Sequence, residues 1–294
     1  MRHVASVERT IVDTDPTGDR NALDSTPRER VSNRGGGYVS DVKIVRADNG
    51  HVMQLRAPAG AVKQVCLTDP RYVPVQSPPY CKLRGAGVAP TQATTQLLTL
   101  LGDILTLPCG NELDYALALD WYKIPVEGVE GTSWSNTPIA NLVHRGKYWY
   151  RGSKDAGKQK RCGLALVKLL VPVISQHPLL CDVAAIAAVP GHDSKVVSFG
   201  ARLADAVART LNKLSVRCDA LNDFRPPAKS LEPAARASVI NNQFVCNEYL
   251  DGKSLLIIDD VYRSGSTANE TARALRAAGA TQVSSLCAVR TMRF

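Results

Sequence analysis

Two membrane and export signatures are missing from this sequence of 294 residues. The longest apolar runs, 96–107 and 164–174, are interrupted by Asp103 and Lys168 and are too short to span a bilayer. The N-terminus carries no apolar segment of the signal-peptide type. We therefore expect a soluble cytoplasmic protein without a membrane partner, and its length is enough to bury a sizeable core.

The eight cysteines form no C-x-x-C pair. This spacing argues against a zinc ribbon and against a small disulfide framework. Most of these cysteines are expected to be buried apolar residues. The remaining metal-binding alternative is a zinc site built from Cys66, Cys81 and Cys109.

The common phosphate-binding loops are also missing. A Walker loop ends in Gly-Lys-Ser/Thr and a Rossmann loop has spaced glycines, and the sequence contains neither. The net charge of +9 nevertheless suggests an anionic ligand or partner.

One stretch, 254–279, combines an apolar strand, two acids, a small polar loop and an Ala-rich helix. Residues 255–258 are four apolar residues in a row, as in a strand buried on both faces. Asp259 and Asp260 end this strand. Thr267 and Glu270 have the spacing of a capping box, which predicts that the helix begins directly after the loop. Gly279 is placed to end that helix in a left-handed conformation.

A loop that enters a helix N-terminus presents free backbone N–H groups and the positive end of the helix dipole, which together attract an anion. Gly265 allows close backbone approach, and Ser264, Ser266 and Thr267 add hydroxyl donors. Two carboxylates beside a phosphate would repel it, so they are better suited to accept hydrogen bonds from sugar hydroxyls. A ribose 5-phosphate satisfies both halves of this site. A plain strand-to-helix turn and a receiver-domain acid pair are the alternatives, although only 34 residues follow Asp260.

This stretch resembles the phosphoribosyl diphosphate (PRPP) motif of type I phosphoribosyltransferases. The resemblance implies that Asp259 and Asp260 hold the ribose 2- and 3-hydroxyls and that the following loop holds the 5-phosphate. The implied PRPP-binding residues are Val261, Tyr262, Arg263, Ser264, Gly265, Ser266 and Thr267. The family usually has Thr-Thr-Gly where this chain has Arg-Ser-Gly. Arg263 either adds a charge to the phosphate contact or points to solvent.

The N-terminal half has weaker signals. Residues 1–37 are polar and end in three glycines, which is typical of a flexible arm. Alternating patterns around Asn49-Gly50 predict a small antiparallel sheet over about 38–69. A Pro/Gly-rich stretch, 70–90, separates it from a helix that starts at Pro90 and Thr91. Residues 108–143 have no clear pattern and are compatible with a hood over a substrate, with Trp121 and Trp134 in core packing.

The C-terminal half alternates helices and strands. Helices are predicted at about 162–175 and 199–214, and strands at 183–189, 219–224 and 283–289. This order predicts an α/β fold with a parallel sheet and helices on both faces, with ligands beyond the carboxyl ends of the strands. The loop after the first of these strands is expected to face the same ligand; it contains Pro190, Gly191, His192, Asp193, Ser194 and Lys195. His192 would act as an acid or simply as a donor.

In family order, several features are similar to the ComF-type branch of these transferases: HRGKYWYRG, Val-Pro at 189–190, and Arg236 before the PRPP motif. The resemblance covers about 143–294, which we expect to be the transferase core, with 38–142 as an α+β accessory or hood region. It implies a PRPP-dependent glycosyltransferase that moves a phosphoribosyl group to or from a nitrogenous base with Mg²⁺. The implied catalytic residues are Asp259, Asp260, Lys195 and Arg236, with Lys229 as a further cation. Mg²⁺ would be held mainly by the ligand, with the two acids as additional ligands.

Two features depart from the family: its N-terminal cysteine zinc module is missing, and its Arg-Gly-Phe-Asn-Gln segment is reduced to Ser-Phe-Gly at 198–200. The rival interpretation is therefore a non-catalytic protein that senses PRPP or a nucleotide, or binds nucleic acid. The sequence sets no oligomeric state, and a dimer is among the assemblies it allows.

The basic stretch 145–168 holds eight Lys/Arg and one acid. Its interpretations are a solvated helix face, a contact to a phosphate-rich substrate, or a nucleic-acid interface. The residues that would make such contacts are Arg145, Lys147, Tyr148 and Arg151.

Overall fold

The computed structural model describes residues 36–47, 50–86, 89–149, 156–193, 196–222 and 242–292. The predicted arm at 1–37 therefore lies almost wholly outside the described residues. The strands are β1 Ser40–Ala47, β2 Gly50–Arg56, β3 Tyr72–Gln76, β4 Tyr80–Ala86, β5 Leu105–Leu107, β6 Ala116–Trp121, β7 Ala185–Ala188, β8 Leu214–Arg217, β9 Asp219–Ala220, β10 Phe244–Val245, β11 Ser254–Tyr262 and β12 Gln282–Arg290. The helices are α1 Ala59–Thr68, α2 Gln92–Asp103, α3 Pro138–His144, α4 Ala156–Gln176, α5 Phe199–Thr210 and α6 Ser266–Ala277.

A six-stranded sheet with the order β5-β6-β12-β11-β7-β8 forms the centre of the molecule. All neighbouring strands in it are parallel except β5, which pairs antiparallel with β6. The expected α/β fold with a mostly parallel sheet is thus confirmed.

Alternate residues of the central strands enter two separate cores. Leu256 and Ile258 of β11 pack into the core on the side of α1 to α5, whereas Leu255 and Ile257 pack into the core beneath α6. Because each side is covered by helices, both faces of the strand are apolar, as the run at 255–258 predicts. The expectation of helices on both faces of the sheet is confirmed.

A second, antiparallel sheet has the order β1-β2-β4-β3. The hairpin predicted around residues 49 and 50 is confirmed, with Gly50 at φ 136°. The sheet predicted over about 38–69 is wrong for residues 62–68, because those residues belong to α1. Ala61, Val62 and Val65 are buried at helical spacing against the small sheet and α2, and this tertiary burial outweighs the alternating pattern.

The interpretation of 70–90 as a separator is also wrong, since β3 and β4 occupy most of it. The boundary expected between residues 142 and 143 does not follow the central sheet. Both β5 and β6 come before that boundary in the chain, yet they extend the sheet beside β12. Both strands are short, and β6 lies inside the unpatterned region 108–143. They are identified by the pairing of β6 with β12 and of β5 with β6.

The remaining elements follow their predictions with shifted ends. Helix α2 begins after Thr91, whose side chain accepts a hydrogen bond from the Thr94 backbone N–H. Helix α5 stops at Thr210 and the chain enters β8 at Leu214, earlier than the predicted strand at 219–224. Trp121 and Trp134 are both buried, in line with the expected packing role. None of the helices in the described part of the chain is long and apolar enough to cross a membrane.

Candidate functional site

The central sheet has a topological switch point between β7 and β11. From β7 the chain passes through α5 to β8 on one side, and from β11 it passes through α6 to β12 on the other. The two connections diverge and leave a crevice beyond the carboxyl ends of the strands, where open α/β sheets bind ligands. Because Ala188 pairs with Ile258 in parallel register, the loop after β7 starts beside Asp259.

The loop between β11 and α6 is shaped by Gly265, which has a φ of 78°. A Cβ at this position would overlap the hydroxyl of Tyr262. The Tyr262 side chain is buried under the loop, where its hydroxyl donates to the Pro108 carbonyl at 2.8 Å. Arg290 stacks on the same ring at 5.3 Å and donates to the Arg263 carbonyl. The loop therefore packs on Tyr262 and Arg290 on one side, while Arg263 and Ser264 are exposed on the other.

The structure corrects the predicted capping box at the start of α6. Gly265 is the residue before the helix and no side chain caps the helix, while Thr267 lies inside the first turn. Glu270 instead accepts hydrogen bonds from the backbone N–H groups of Gln243 and Phe244, at 2.9 and 3.3 Å. The Ser266 backbone N–H donates to the Ser264 hydroxyl at 3.5 Å, whereas the N–H groups of Thr267 and Ala268 have no partner among the described residues and can donate to a ligand.

The other loop side chains lie at this open helix end. The Ser264 and Ser266 hydroxyls bond each other at 2.9 Å, so one of them donates to the other and the second is left as a donor on the loop. The Arg263 side chain is exposed, and Val261 is partly buried in β11. The structure thus brings the predicted loop residues around one helix N-terminus, except that the Tyr262 side chain lies beneath it.

The two acids lie within β11 rather than after it. Asp259 is half-buried, and its Oδ1 accepts from the Asp260 backbone N–H at 2.8 Å. Asp260 is almost fully buried, at 3% exposure. Its Oδ1 accepts from Lys147 Nζ at 2.9 Å, whereas its Oδ2 is buried with no hydrogen-bond partner among the described residues. A buried carboxylate oxygen without a donor is costly, so Asp260 Oδ2 requires a donor from outside the described residues.

The charges of this group are strongly coupled. Burial, and then the neighbouring charge of Asp260, raise the pKa of Asp259 well above its usual range, and Lys147 opposes this shift. Burial disfavours the charged form of Lys147, but the charges of Asp260 and Asp259 and the hydrogen bond to Asp260 outweigh burial and raise its pKa. Lys147 is thus charged at neutral pH and offsets part of the acid pair's negative charge.

Lys147 reaches the acids from a π-helical turn, Arg145–Trp149, that directly continues α3. From the sequence, this basic stretch was predicted to be a solvated helix face, a contact to a phosphate-rich substrate or a nucleic-acid interface. Of the other residues in that group, Arg145 and Tyr148 are exposed and Arg151 lies outside the described residues. The turn packs against Phe199 of α5, whose ring occupies the space that a side chain at Gly146 would need.

Aromatic and imidazole groups surround Lys147. The Tyr122 hydroxyl and His144 Nδ1 are 3.2 Å apart, and the His144 and Tyr148 rings are tilted at 5.4 Å. Burial raises the pKa of the Tyr122 hydroxyl, and the charges of Tyr148, Lys147 and Asp260 make smaller contributions. Tyr122 was not predicted from the sequence, where its only signal is its position in the hood-like region 108–143. His144 is the first residue of the HRGKYWYRG segment, but no role was predicted for it.

The loop after β7 completes the crevice as far as the structure describes it. Pro190, Gly191, His192 and Asp193 follow β7, and α5 then starts with Ser198 as its cap, accepting from the Ala201 N–H at 3.0 Å. The first turn of α5 touches the acid pair, since a Cβ at Gly200 would lie 3.0 Å from Asp259 Oδ1. The predicted site residues Ser194, Lys195 and Arg236, together with Lys229, lie outside the described residues.

No group of three or more His, Cys, Asp or Glu in the described ranges could hold a metal ion. Cys66, Cys81 and Cys109 are free thiols that do not come together, so the zinc alternative is wrong. The acid pair by itself supplies hard carboxylate oxygens, which suit Mg²⁺ when a ligand provides the remaining oxygens.

Residues 196–293, about a third of the chain, match the family model of the phosphoribosyl transferase domain. The match runs from the start of α5 to β12 and includes the acid pair and the loop before α6. No curated protein matches the sequence.

Two solved structures are similar in part. A purine phosphoribosyltransferase from Pyrococcus horikoshii Ot3 shares 13% identity over 42% of this chain and 73% of that chain, with a TM-score of 0.27. An adenine phosphoribosyltransferase from Leishmania tarentolae shares 10% identity over 63% of this chain and 94% of that chain, with a TM-score of 0.35.

Proposed function

We propose that this chain binds PRPP at the acid pair and the α6 N-terminus and transfers its phosphoribosyl group to a nitrogen nucleophile, or catalyses the reverse reaction. The observation that carries the proposal is the buried Asp260 Oδ2, which has no donor among the described residues and lies three residues before the loop that opens onto α6. A ribose hydroxyl supplies that donor. The match of residues 196–293 to a phosphoribosyl transferase domain supports the same assignment.

The two ends of a ribose 5-phosphate fit the two parts of the site. The carboxylates of Asp259 and Asp260 accept from the 2- and 3-hydroxyls, and charged acceptors make such hydrogen bonds strong. The free N–H groups at the α6 N-terminus and one hydroxyl of the two serines, Ser264 or Ser266, donate to the 5-phosphate. The left-handed Gly265 brings the backbone close enough for these contacts.

The proposed reaction needs no protein nucleophile. The bond between ribose C1 and the diphosphate breaks, positive charge develops on the ribose, and a nitrogen of the acceptor forms the new bond. The nearby carboxylates stabilise the cationic ribose electrostatically, and they are fixed before the reaction by the backbone of β11. Lys147 moderates their charge. Mg²⁺, held by the substrate oxygens and by the Asp259 and Asp260 carboxylates, would neutralise the diphosphate.

The acceptor is best accounted for as a planar nitrogenous base. The Tyr148 ring centroid lies 5.9 Å from Lys147 Nζ, His144 contacts Tyr148, and Tyr122 contacts His144. Together they offer ring faces with hydroxyl and imidazole groups. Ring faces stack on a flat heterocycle, and the polar groups select its edge. A ComF-type assignment within the transferases is consistent with the HRGKYWYRG segment, which contributes Lys147 and Tyr148.

The experiment is a calorimetric titration of PRPP with Mg²⁺ into wild type and into Asp259→Asn/Asp260→Asn. We expect binding to be lost in the double variant, because the diol loses both charged acceptors. Asp103→Asn/Asp251→Asn removes two exposed acids elsewhere and should bind normally. Unchanged affinity in the double acid variant would rule out this site.

Catalysis is tested separately by pyrophosphate release from PRPP with a panel of purine and pyrimidine bases. We expect release with at least one base and none in the double acid variant. If PRPP binds but no base releases pyrophosphate, the site assignment stands and the transferase proposal is wrong; the chain is then a PRPP-binding protein.

A further inference from the structure

The small antiparallel sheet has two different faces. Met53, Leu55, Cys81 and Leu83 point into the core and are almost completely buried. Strand residues alternate, so the neighbours of these four project from the opposite, outer face. The outer face is a solvent-facing surface of the sheet that has no role in the site proposed above.

The register of the strands places cations side by side on this outer face. Lys43 pairs with Gln54, which pairs with Lys82; in the adjoining row, Val52 pairs with Arg84. Lys43, Lys82 and Arg84 are all exposed, and none of the three forms an ion pair with a described residue. The four strands contain five Lys/Arg and a single acid, Asp41.

The same face carries an exposed aromatic ring. Tyr80 pairs with Arg56 across the sheet and is 57% exposed, and the Arg56 guanidinium lies 5.8 Å from the Tyr80 ring centroid. Val45 and Val73 are exposed at the two edges of the row that contains Arg84. A flat surface with cations, one ring and small apolar patches differs from a merely solvated face, on which acids and cations alternate.

We propose that this surface, defined by Lys43, Arg56, Tyr80, Lys82 and Arg84 and called the basic face, binds single-stranded nucleic acid. Lys82 and Arg84 are two residues apart on one strand, about 7 Å, and Lys43 is two strands from Lys82, about 10 Å. A flexible phosphate backbone can follow such a path, and an unpaired base can stack on Tyr80. Charge complementarity excludes a basic partner, and the exposed ring favours unpaired bases over a duplex.

The test is fluorescence anisotropy with labelled oligonucleotides of about 15 nucleotides, single-stranded DNA and RNA in separate arms, across a salt series. Each phosphate contact on a single strand contributes about 0.7 to the slope of log affinity against log salt. Lys43→Ala/Lys82→Ala/Arg84→Ala should therefore flatten the slope by about 2 and lower the affinity about 100-fold at 0.1 M salt. Tyr80→Ala should lower it further, whereas Tyr80→Phe keeps the ring and should not.

The matched control is Lys158→Ala/Lys160→Ala/Lys168→Ala, which removes the same charge from exposed positions of α4. Loss of binding in this variant, with normal binding in the sheet variant, would overturn the proposal and place the interface on α4. The proposal would also be overturned if polyglutamate bound as tightly as the oligonucleotides and if Tyr80→Ala left that binding unchanged. The partner would then be an acidic protein. PRPP titration of the sheet variant is expected to be normal, so this proposal and the proposed function succeed or fail separately.

Discussion

At the scale of single residues, the ion pair between Lys147 and Asp260 holds the candidate site together. Asp260 is 3% exposed, and the ammonium of Lys147 is the charged donor on its Oδ1. Lys147 retains about a third of its side-chain exposure, so solvent screens the pair on one side only. Removing one partner of such a pair lowers the stability by more than the pair itself contributes, because the remaining charge stays buried without an opposite charge.

We therefore predict that Lys147→Met lowers the free energy of unfolding by about 1–3 kcal/mol, below the range for a fully buried pair because of that exposure. Lys147→Arg should recover most of the loss. Urea denaturation of both variants measures this, with Lys158→Met as the control at an exposed position of α4. A Lys147→Met protein as stable as wild type would mean that solvent, rather than Lys147, compensates Asp260.

The loop before α6 depends on one glycine. Gly265 has a φ of 78°, and a Cβ there would overlap the Tyr262 hydroxyl, which is fixed by its bond to Pro108. Gly265→Ala should cost about 1–3 kcal/mol of stability from backbone strain alone. It should also weaken PRPP binding, because the loop N–H groups move.

The matched control for this substitution is Gly163→Ala in α4. Gly163 has ordinary helical geometry, and its Cβ would meet nothing within 4 Å. Alanine is the better helix former, so this variant should be neutral or more stable by up to about 1 kcal/mol. Thermal melts and PRPP titrations of the two variants give the comparison. Equal behaviour would show that Gly265 is not required for the loop.

At the scale of elements, Glu270 fastens α6 to the ribbon formed by β9 and β10. It is 3% exposed, accepts from the N–H groups of Gln243 and Phe244, and pairs with Arg273, which itself donates to the Phe244 carbonyl at 2.8 Å. A carboxylate that meets two backbone donors and a guanidinium joins helix and ribbon through charge-assisted hydrogen bonds.

Glu270→Ala is predicted to lower stability by about 2–4 kcal/mol, because two backbone donors and Arg273 lose their acceptor at once. Hydrogen exchange should accelerate at the amides of residues 243 and 244 before it does in the central strands. Glu248→Ala, at an exposed position near the ribbon, should be silent in both measurements. Unchanged exchange at 243 and 244 in Glu270→Ala would contradict the role of Glu270.

At the scale of the whole molecule, His177 joins the N-terminal elements to the central sheet. It is fully buried after α4, stacks on Tyr115 at 5.7 Å and bonds Gln64 of α1 through Nε2 at 2.8 Å. Its Nδ1 accepts from the Leu179 N–H at 3.2 Å, so a second proton on the ring would face a donor. Burial lowers the pKa of His177 to about 4.

This shift predicts a loss of stability in mild acid. In the unfolded chain, His177 is protonated below a pH of about 6.5, whereas in the folded protein it stays neutral down to a pH of about 4. The contribution of His177 to the free energy of unfolding therefore falls as the pH decreases from about 6.5 to about 4. The loss approaches about 3 kcal/mol at the lower end. The raised pKa of Asp259 acts in the opposite direction, because it favours the folded state as the pH falls.

Urea denaturation between pH 7.5 and 4.5, compared for wild type and His177→Gln, isolates the histidine from Asp259. The difference in stability between the two proteins should shrink as the pH falls. A constant difference would show that the pKa of His177 is the same in the folded and unfolded states, and it would contradict the prediction.

The elements that the sequence alone determined are those with strong local patterns. The strand, acid pair, loop and helix at 254–279 were predictable because a continuous apolar run, a Gly/Ser loop and an Ala-rich helix each have a local physical cause. The hairpin at Gly50, the start of α2 at Thr91 and the β7–α5 unit were predictable for the same reason.

Tertiary structure decided the rest, because it depends on partners far apart in the chain. Residues 62–68 are helical because α2 and the small sheet bury one apolar face of that helix. β6 is a strand because it forms backbone hydrogen bonds with the edge of β12. Lys147 lies 113 residues before Asp260, and nothing local shows that a lysine in a basic stretch turns inward to a buried carboxylate. Glu270 looked like a capping residue until the fold brought Gln243 and Phe244 to it. Local pattern thus predicts where an anion and a diol can bind, and long-range packing determines which charges surround them.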